Sequence, residues 1–107
     1  MILPAYWRMF VTMICLKINI HGKVYKTGLR YFLKQQATRL KIKGSVYYQA
    51  DNSVGIIAVG EKSGIDELVR QCHFGNKDSQ IESVSVRQIT LQEYASFEVM
   101  DGKEMIE

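Results

Sequence analysis

A predicted β-hairpin in the middle of the chain limits the folds that this sequence can adopt. Two β-rich runs, residues 42–50 and 54–60, are separated by Asp51, Asn52 and Ser53. Asparagine tolerates the positive φ that a tight turn needs, so the two runs are predicted to pair as antiparallel strands. The second run is almost entirely apolar, which predicts a central strand. The rest of the fold has to be built around this pair.

A strand and then a helix are predicted on the N-terminal side of the hairpin. The apolar residues of 13–20 alternate late in the segment, which indicates a strand. A loop follows at residues 21–26. Thr27 is the expected N-cap, and an apolar repeat near 3.6 residues predicts a helix from Gly28 to about Leu40.

A second helix and further strands are predicted on the C-terminal side. Ser63 is the expected N-cap of this helix, with Asp66 completing an approximate capping box. Gly75 ends the helix. Residues 81–89 are predicted as a fourth strand, and residues 95–99 as a short last strand.

The predicted order is therefore βαββαβ with a short C-terminal strand. This is the α+β ferredoxin-like pattern, an antiparallel sheet with both helices on one face. The chain has 107 residues, enough for one core. We assign the domain to residues 13–100 and a polar C-terminal tail to residues 101–107. Residues 1–12 are interpreted as an N-terminal extension, with Met9 or Met13 as alternative natural starts.

Composition excludes several classes of function. The net charge is +3, which permits an anionic ligand but lacks the basic stripe of a nucleic-acid binder. The apolar strand 54–60 has no aromatic residue, so an RNA-binding module of the same topology is disfavoured. Two cysteines and no Cys/His cluster predict a cytoplasmic protein without a metal or cofactor. The apolar extension is too short to cross a membrane, but its aromatic residues allow weak self-association of an otherwise monomeric protein.

The loop before the first helix carries the strongest chemical signal. It joins a strand end to a helix start, where backbone N–H groups lack partners and the helix dipole adds partial positive charge. Arg30 falls in the first helical turn, and its guanidinium can hold a tetrahedral oxyanion with paired hydrogen bonds. Lys23 and Lys26 raise the local potential. These features indicate a phosphate cradle, and a plain loop with a solvated arginine is the alternative.

Two segments resemble the signature motifs of the acylphosphatase family. Residues 22–30 read Gly-Lys-Val-Tyr-Lys-Thr-Gly-Leu-Arg, against the family's usual Gly-Arg-Val-Gln-Gly-Val-Gly-Phe-Arg. Residues 44–54 resemble the second motif, Gly-Trp-Val-x-Asn followed by an Asp-Gly turn and Ser-Val-Glu. The family's helix-ending Gly-Pro corresponds to Gly75 and Asn76. The resemblance covers about residues 14–100 and implies the same fold.

The resemblance also implies a reaction. Acylphosphatases hydrolyse the carboxyl–phosphate bond of small acyl phosphates without a metal ion. Carried over by position, Arg30 is the catalytic arginine, and Tyr48 stands where the family has its water-positioning asparagine. The implied phosphate-binding set consists of Gly22, Lys23, Val24, Tyr25, Lys26, Thr27, Gly28 and Arg30.

Three of the departures from the family motifs count against full activity. The phenol of Tyr48 lacks the paired donor and acceptor of an amide. Lys26 replaces a loop glycine and would be strained at positive φ, and Tyr25 replaces the usual glutamine. We therefore predict an acyl-phosphate hydrolase of reduced activity, with small acyl phosphates or inorganic phosphate as ligands. The alternative is a non-catalytic phosphate-binding, anion-binding or interaction domain of the same fold.

Overall fold

The structure, a computed structural model, describes residues 12–103, with side chains described as far as Asp101. The expectations for residues 1–11 and 104–107 lie outside the described residues. Seven elements follow one another along the chain: β1 (Met13–Lys23), α1 (Leu29–Arg39), β2 (Lys43–Tyr48), β3 (Val54–Glu61), α2 (Lys62–Phe74), β4 (Gln80–Ile89) and β5 (Phe97–Lys103).

The predicted element order and ferredoxin-like fold are confirmed. The strands form one sheet in the order β4-β1-β3-β2-β5, with β3 central as expected from its apolar sequence. All pairs among the first four strands are antiparallel, whereas β5 runs parallel to β2, so the sheet is mixed. The last strand also runs from Phe97 to Lys103, later and longer than the predicted segment 95–99.

The core lies between the sheet and the two helices. Alternate residues of β1 point toward the helices and are fully or almost fully buried, as the period of two in a strand requires: Leu16, Ile18 and Ile20. The helices pack against this face with buried residues at helical spacing: Leu29, Leu33 and Ala37 from α1, and Ile65, Leu68 and Cys72 from α2. The opposite face of the sheet carries a smaller cluster around Cys15, Tyr47 and Ile57.

The start of each helix differs from its prediction. Thr27 is not the N-cap of α1, because its hydroxyl donates back to the Val24 carbonyl and the cap position falls on Gly28 at φ 80°. Helix α2 begins one residue before the predicted cap Ser63. Its N-cap is Glu61, in an extended conformation and without a side-chain capping bond. A strand that runs directly into a helix leaves no room for the predicted capping turn.

Three further observations concern the described residues. Neither helix within residues 12–103 is long and apolar enough to cross a membrane. The same residues contain no group of three or more His, Cys, Asp or Glu side chains placed to hold a metal ion. Both cysteines are buried thiols, and burial raises the pKa of Cys72 to about 12.

Candidate functional site

The topology brings the C-terminal ends of three strands to the same end of the sheet. Strands β1 and β2 both pair antiparallel to β3, so they run in the same direction, and β5 runs parallel to β2. The loop after β1, Tyr48 at the end of β2 and the later residues of β5 therefore meet at one end of the molecule. Residues far apart in sequence can contribute to a single site there.

The backbone of the loop is fixed by unusual conformations at its ends. Gly22 has φ 139°, and a Cβ there would collide with the Gln80 carbonyl of β4. At the other end, Lys26 and Gly28 adopt φ 57° and φ 80°. Between them, the fully buried side chain of Val24 anchors the loop in the core. Positive φ at two close positions turns the chain sharply into α1.

The N-terminus of α1 presents amides that have no partner within the helix to this loop. The Phe32 amide donates to the Gly28 carbonyl at 3.1 Å, closing the first turn of the helix. The amides of the residues between them precede this bond and have no carbonyl partner within the helix. The helix dipole adds partial positive charge at the same place. The loop and the helix start therefore form a concentration of N–H donors.

Arg30 is positioned by two contacts, one with β2 and one with β5. Its guanidinium carbon lies 4.1 Å from the ring centroid of Tyr48, a cation–π distance. One Nη1 hydrogen is donated to the Met100 carbonyl of β5 at 2.8 Å. A guanidinium has several further N–H donors besides that one. The side chain is thus positioned by β2 and β5 and still able to bind an anion.

Tyr48 joins the arginine to the loop. Its ring is almost completely buried, and its hydroxyl oxygen accepts a hydrogen bond from the Lys26 amide at 2.7 Å. The ring of Tyr25 packs against it with centroids 4.7 Å apart. The hydroxyl keeps its own proton for donation. One loop amide is therefore directed at the phenol oxygen.

The β2–β3 turn borders the site next to the end of β1. His21 Nε2 lies 3.4 Å from the Asp51 carboxylate. Hydrogen bonds from the side chain and amide of Ser53 lower the pKa of Asp51, and attraction to His21 adds to this. Asn52 adopts φ 68°, which confirms the positive φ expected of this turn.

Four of the nine predicted site residues come together in the structure. Arg30, Tyr48, Tyr25 and Lys26 form one contacting group, and the Lys26 ammonium lies 5.3 Å from the Tyr25 ring centroid. Lys23 is exposed at the end of β1, where it pairs with Gln80.

Sequence reasoning missed two partners of the predicted site residues. The Met100 carbonyl is a backbone atom and leaves no side-chain signal. Asn76, which was seen only as the residue after the second helix, donates through Nδ2 to the Thr27 carbonyl at 2.7 Å.

Comparison with known proteins gives a consistent result. A family model described as Acylphosphatase matches residues 16–99. An acylphosphatase of Archaeoglobus fulgidus is 37% identical over 87 residues, which cover 81% of this chain and 98% of that protein. An acylphosphatase of Petrotoga mobilis is 33% identical with the same coverage. The crystal structure of the Bacillus subtilis acylphosphatase superposes with a TM-score of 0.79 at 26% identity, covering 83% of this chain and 99% of that one.

Proposed function

The chain belongs to the acylphosphatase family, and on that premise we propose that it hydrolyses the carboxyl–phosphate bond of small acyl phosphates at the loop of residues 21–28. The observation that carries the proposal is the position of Arg30. Its guanidinium lies over the Tyr48 ring, and the Tyr48 hydroxyl in turn accepts the Lys26 amide of the loop. The cation and the N–H donors therefore border the same space.

The proposed role of this arrangement is to stabilise charge on the transferred phosphoryl group. In the transition state that charge spreads over three equatorial oxygens. Preset donors stabilise it without having to reorganise during the reaction. Arg30 and the amides at the start of α1 supply such donors, and Lys23 and Lys26 add attraction. Because these groups provide the positive charge, we propose that the reaction requires no metal ion.

The bond changes need little help from a strong acid. A water oxygen forms a bond to phosphorus while the bond from phosphorus to the acyl oxygen breaks. The acyl group departs as a carboxylate, which is stable without a proton near neutral pH. The proton of the water passes to the phosphate product or to solvent. The main tasks left to the protein are to bind the phosphoryl oxygens and to orient the water.

Tyr48 is the proposed neighbour of that water. Its hydroxyl accepts the Lys26 amide and keeps one proton to donate. A phenol offers one polar atom where an amide offers a donor and an acceptor on separate atoms. We therefore propose a slower reaction than a site with an asparagine at this position would support.

The oligomeric state, the compartment and the ligands are further parts of the proposed function. We propose a monomer that acts in the cytoplasm on small acyl phosphates and does not bind nucleic acid. The two buried free thiols among the described residues support a reducing compartment. The apolar central strand β3 supports the exclusion of RNA, because base stacking needs exposed aromatic residues.

The decisive test is hydrolysis of benzoyl phosphate in buffer containing a chelator, after subtraction of the spontaneous rate. The wild-type protein is expected to turn over. Arg30→Ala is expected to lower kcat/KM by about 100-fold or more, because it removes the principal charged donor. Arg70→Ala is the matched control, since Arg70 is exposed on α2 and pairs with Glu67. Its kcat/KM should equal the wild-type value.

A specific observation favours binding without turnover as the second candidate. The Tyr48 hydroxyl already occupies the Lys26 amide, so this donor has to be shared with or released to a ligand. A wild-type protein that hydrolyses nothing above background, but whose amides from Gly22 to Arg30 shift on titration with inorganic phosphate, would establish this second function in place of the first.

A further inference from the structure

A side chain from outside the predicted site is attached to the phosphate loop. Asn76 lies between α2 and β4, and its Nδ2 donates to the Thr27 carbonyl at 2.7 Å across a separation of 49 residues. The carbonyl can only accept, which fixes the amide nitrogen as the contacting atom. The Asn76 Oδ1 atom is buried and has no hydrogen-bond partner among the described residues. The side chain is therefore oriented by its bond to the loop.

The turn that carries Asn76 is itself rigidly built. Gly75 adopts φ 69°, and a Cβ at that position would meet the Ser79 hydroxyl. That hydroxyl contacts both backbone polar atoms of Asn76, the amide at 3.0 Å and the carbonyl at 3.1 Å. The base of the Asn76 side chain is thus fixed before the side chain reaches the loop.

The bond to Thr27 also determines the direction of the next amide. In a planar trans peptide the C=O and the following N–H point in opposite directions. With the Thr27 carbonyl directed at Asn76, the Gly28 N–H points away from it. Asn76 approaches the loop from the β4 side of the sheet, whereas Tyr48 and Arg30 approach from the β2–β5 side. The Gly28 N–H therefore points away from the Asn76 turn, and the Arg30 guanidinium lies against β2 and β5 on the other side of the loop.

We propose that Asn76 is a positioning residue for phosphate binding. It holds the Thr27–Gly28 peptide so that the Gly28 amide joins Arg30 in binding a phosphoryl oxygen. Gly28 at φ 80° is the N-cap of α1, so the same peptide sets the entry into the helix. This inference rests on the proposed function, because it assumes that the loop binds the phosphoryl group.

The test compares Asn76→Asp, which keeps the shape but removes the donor, with Asn76→Ala. Both are expected to raise the KM for benzoyl phosphate and the Kd for inorganic phosphate by about 3- to 10-fold, as for the loss of one hydrogen bond. The value of kcat should change less than twofold, because Asn76 acts on the binding of the phosphoryl group and does not itself contact the reacting atoms. The Gly28 amide resonance should shift in both variants before any phosphate is added.

Ser79→Ala is the control for a merely structural role. It loosens the same turn but leaves the Asn76 amide group in place, so its increase in the Kd for phosphate should be clearly smaller than that of Asn76→Ala. Equal increases in Ser79→Ala and Asn76→Ala would overturn the inference in favour of general loosening. If the wild-type protein is active and both Asn76 variants keep its Kd for phosphate, the inference about Asn76 is wrong but the proposed function stands. A wild type without turnover and without phosphate binding would overturn the proposed function together with it.

Discussion

The two strand-to-helix junctions of this fold differ in the length of their loops and in the charges at the helix start. Strand β1 leads to α1 through five residues with two positive φ values, whereas β3 runs into α2 with no residue between them. Neither helix has a side-chain capping bond. At α1, Arg30 lies in the first turn. At α2, the acidic Glu61 occupies the N-cap and the Lys62 amide donates to the Thr12 carbonyl at 3.1 Å.

The difference shows what a helix N-terminus needs to become an anion site. Both helices carry the same partial positive charge at their first turn. At α2 a carboxylate of the protein stands next to that charge, and no loop creates space for a ligand. At α1 a loop widens the junction and a cation is added. The amides are common to both junctions, so the loop and the arginine distinguish the candidate site.

The largest expected effect tests whether the loop conformation is essential to the first junction. Gly22→Ala should lower the free energy of unfolding by about 3 kcal/mol or more, because its Cβ would collide with a backbone carbonyl at φ 139°. Gly60→Ala, near the end of β3, would place a Cβ 3.2 Å from the Ile42 side chain, and should cost about 1 kcal/mol. Urea denaturation of both variants measures the contrast. Equal losses would mean that the two junctions are equally constrained.

The second effect concerns the partner of the arginine. Tyr48→Asn is expected to raise kcat for benzoyl phosphate by about 10-fold, because the amide supplies a separate donor and acceptor for the water. Tyr48→Phe is the control: it removes the hydroxyl without adding an amide and should give no increase. The assay must be run well below the unfolding temperature, since Tyr48 is part of the core. A rate for Tyr48→Asn at or below wild type would remove Tyr48 from the water-positioning role.

The smallest effect separates strain from function at the loop. Lys26 has φ 57°, and Lys41, which follows α1, has φ 60°. Replacing either with glycine should raise the free energy of unfolding by about 0.5–1 kcal/mol, since glycine adopts this region without the Cβ penalty. Only Lys26→Gly should also weaken phosphate binding, because it removes a charge near the loop. Equal phosphate affinities for the two variants would show that the Lys26 ammonium adds no attraction.

Much of the fold could be predicted because each element has its own hydrophobic period. The alternation in β1 and the 3.6-residue repeat in α1 identified their types, and the Asn52 turn identified the hairpin. The direction of β5 could not be predicted in this way, because alternation is the same in parallel and antiparallel strands. The helix caps were missed because propensity does not reveal which group a hydroxyl binds. The Thr27 hydroxyl binds the Val24 carbonyl instead of capping α1.

The candidate site could be predicted less completely than the fold. Local sequence predicted the loop and Arg30 as candidate site residues, since both lie within one short segment. The sequence analysis expected Lys26 to be strained if its φ were positive, and its φ is 57°. The anchoring of Arg30 depends on a backbone carbonyl 70 residues away, and no residue type encodes such a contact.

That long separation has a consequence for how the protein matures. The loop and the arginine are synthesised early, but the carbonyl that orients the guanidinium belongs to the last strand. Contacts between distant parts of a chain close late and slowly during folding. A chain that stops before residue 100 would therefore contain every charged group of the proposed site but lack one of the two contacts that position its arginine. The site would be fully formed only after residue 100 has joined the sheet.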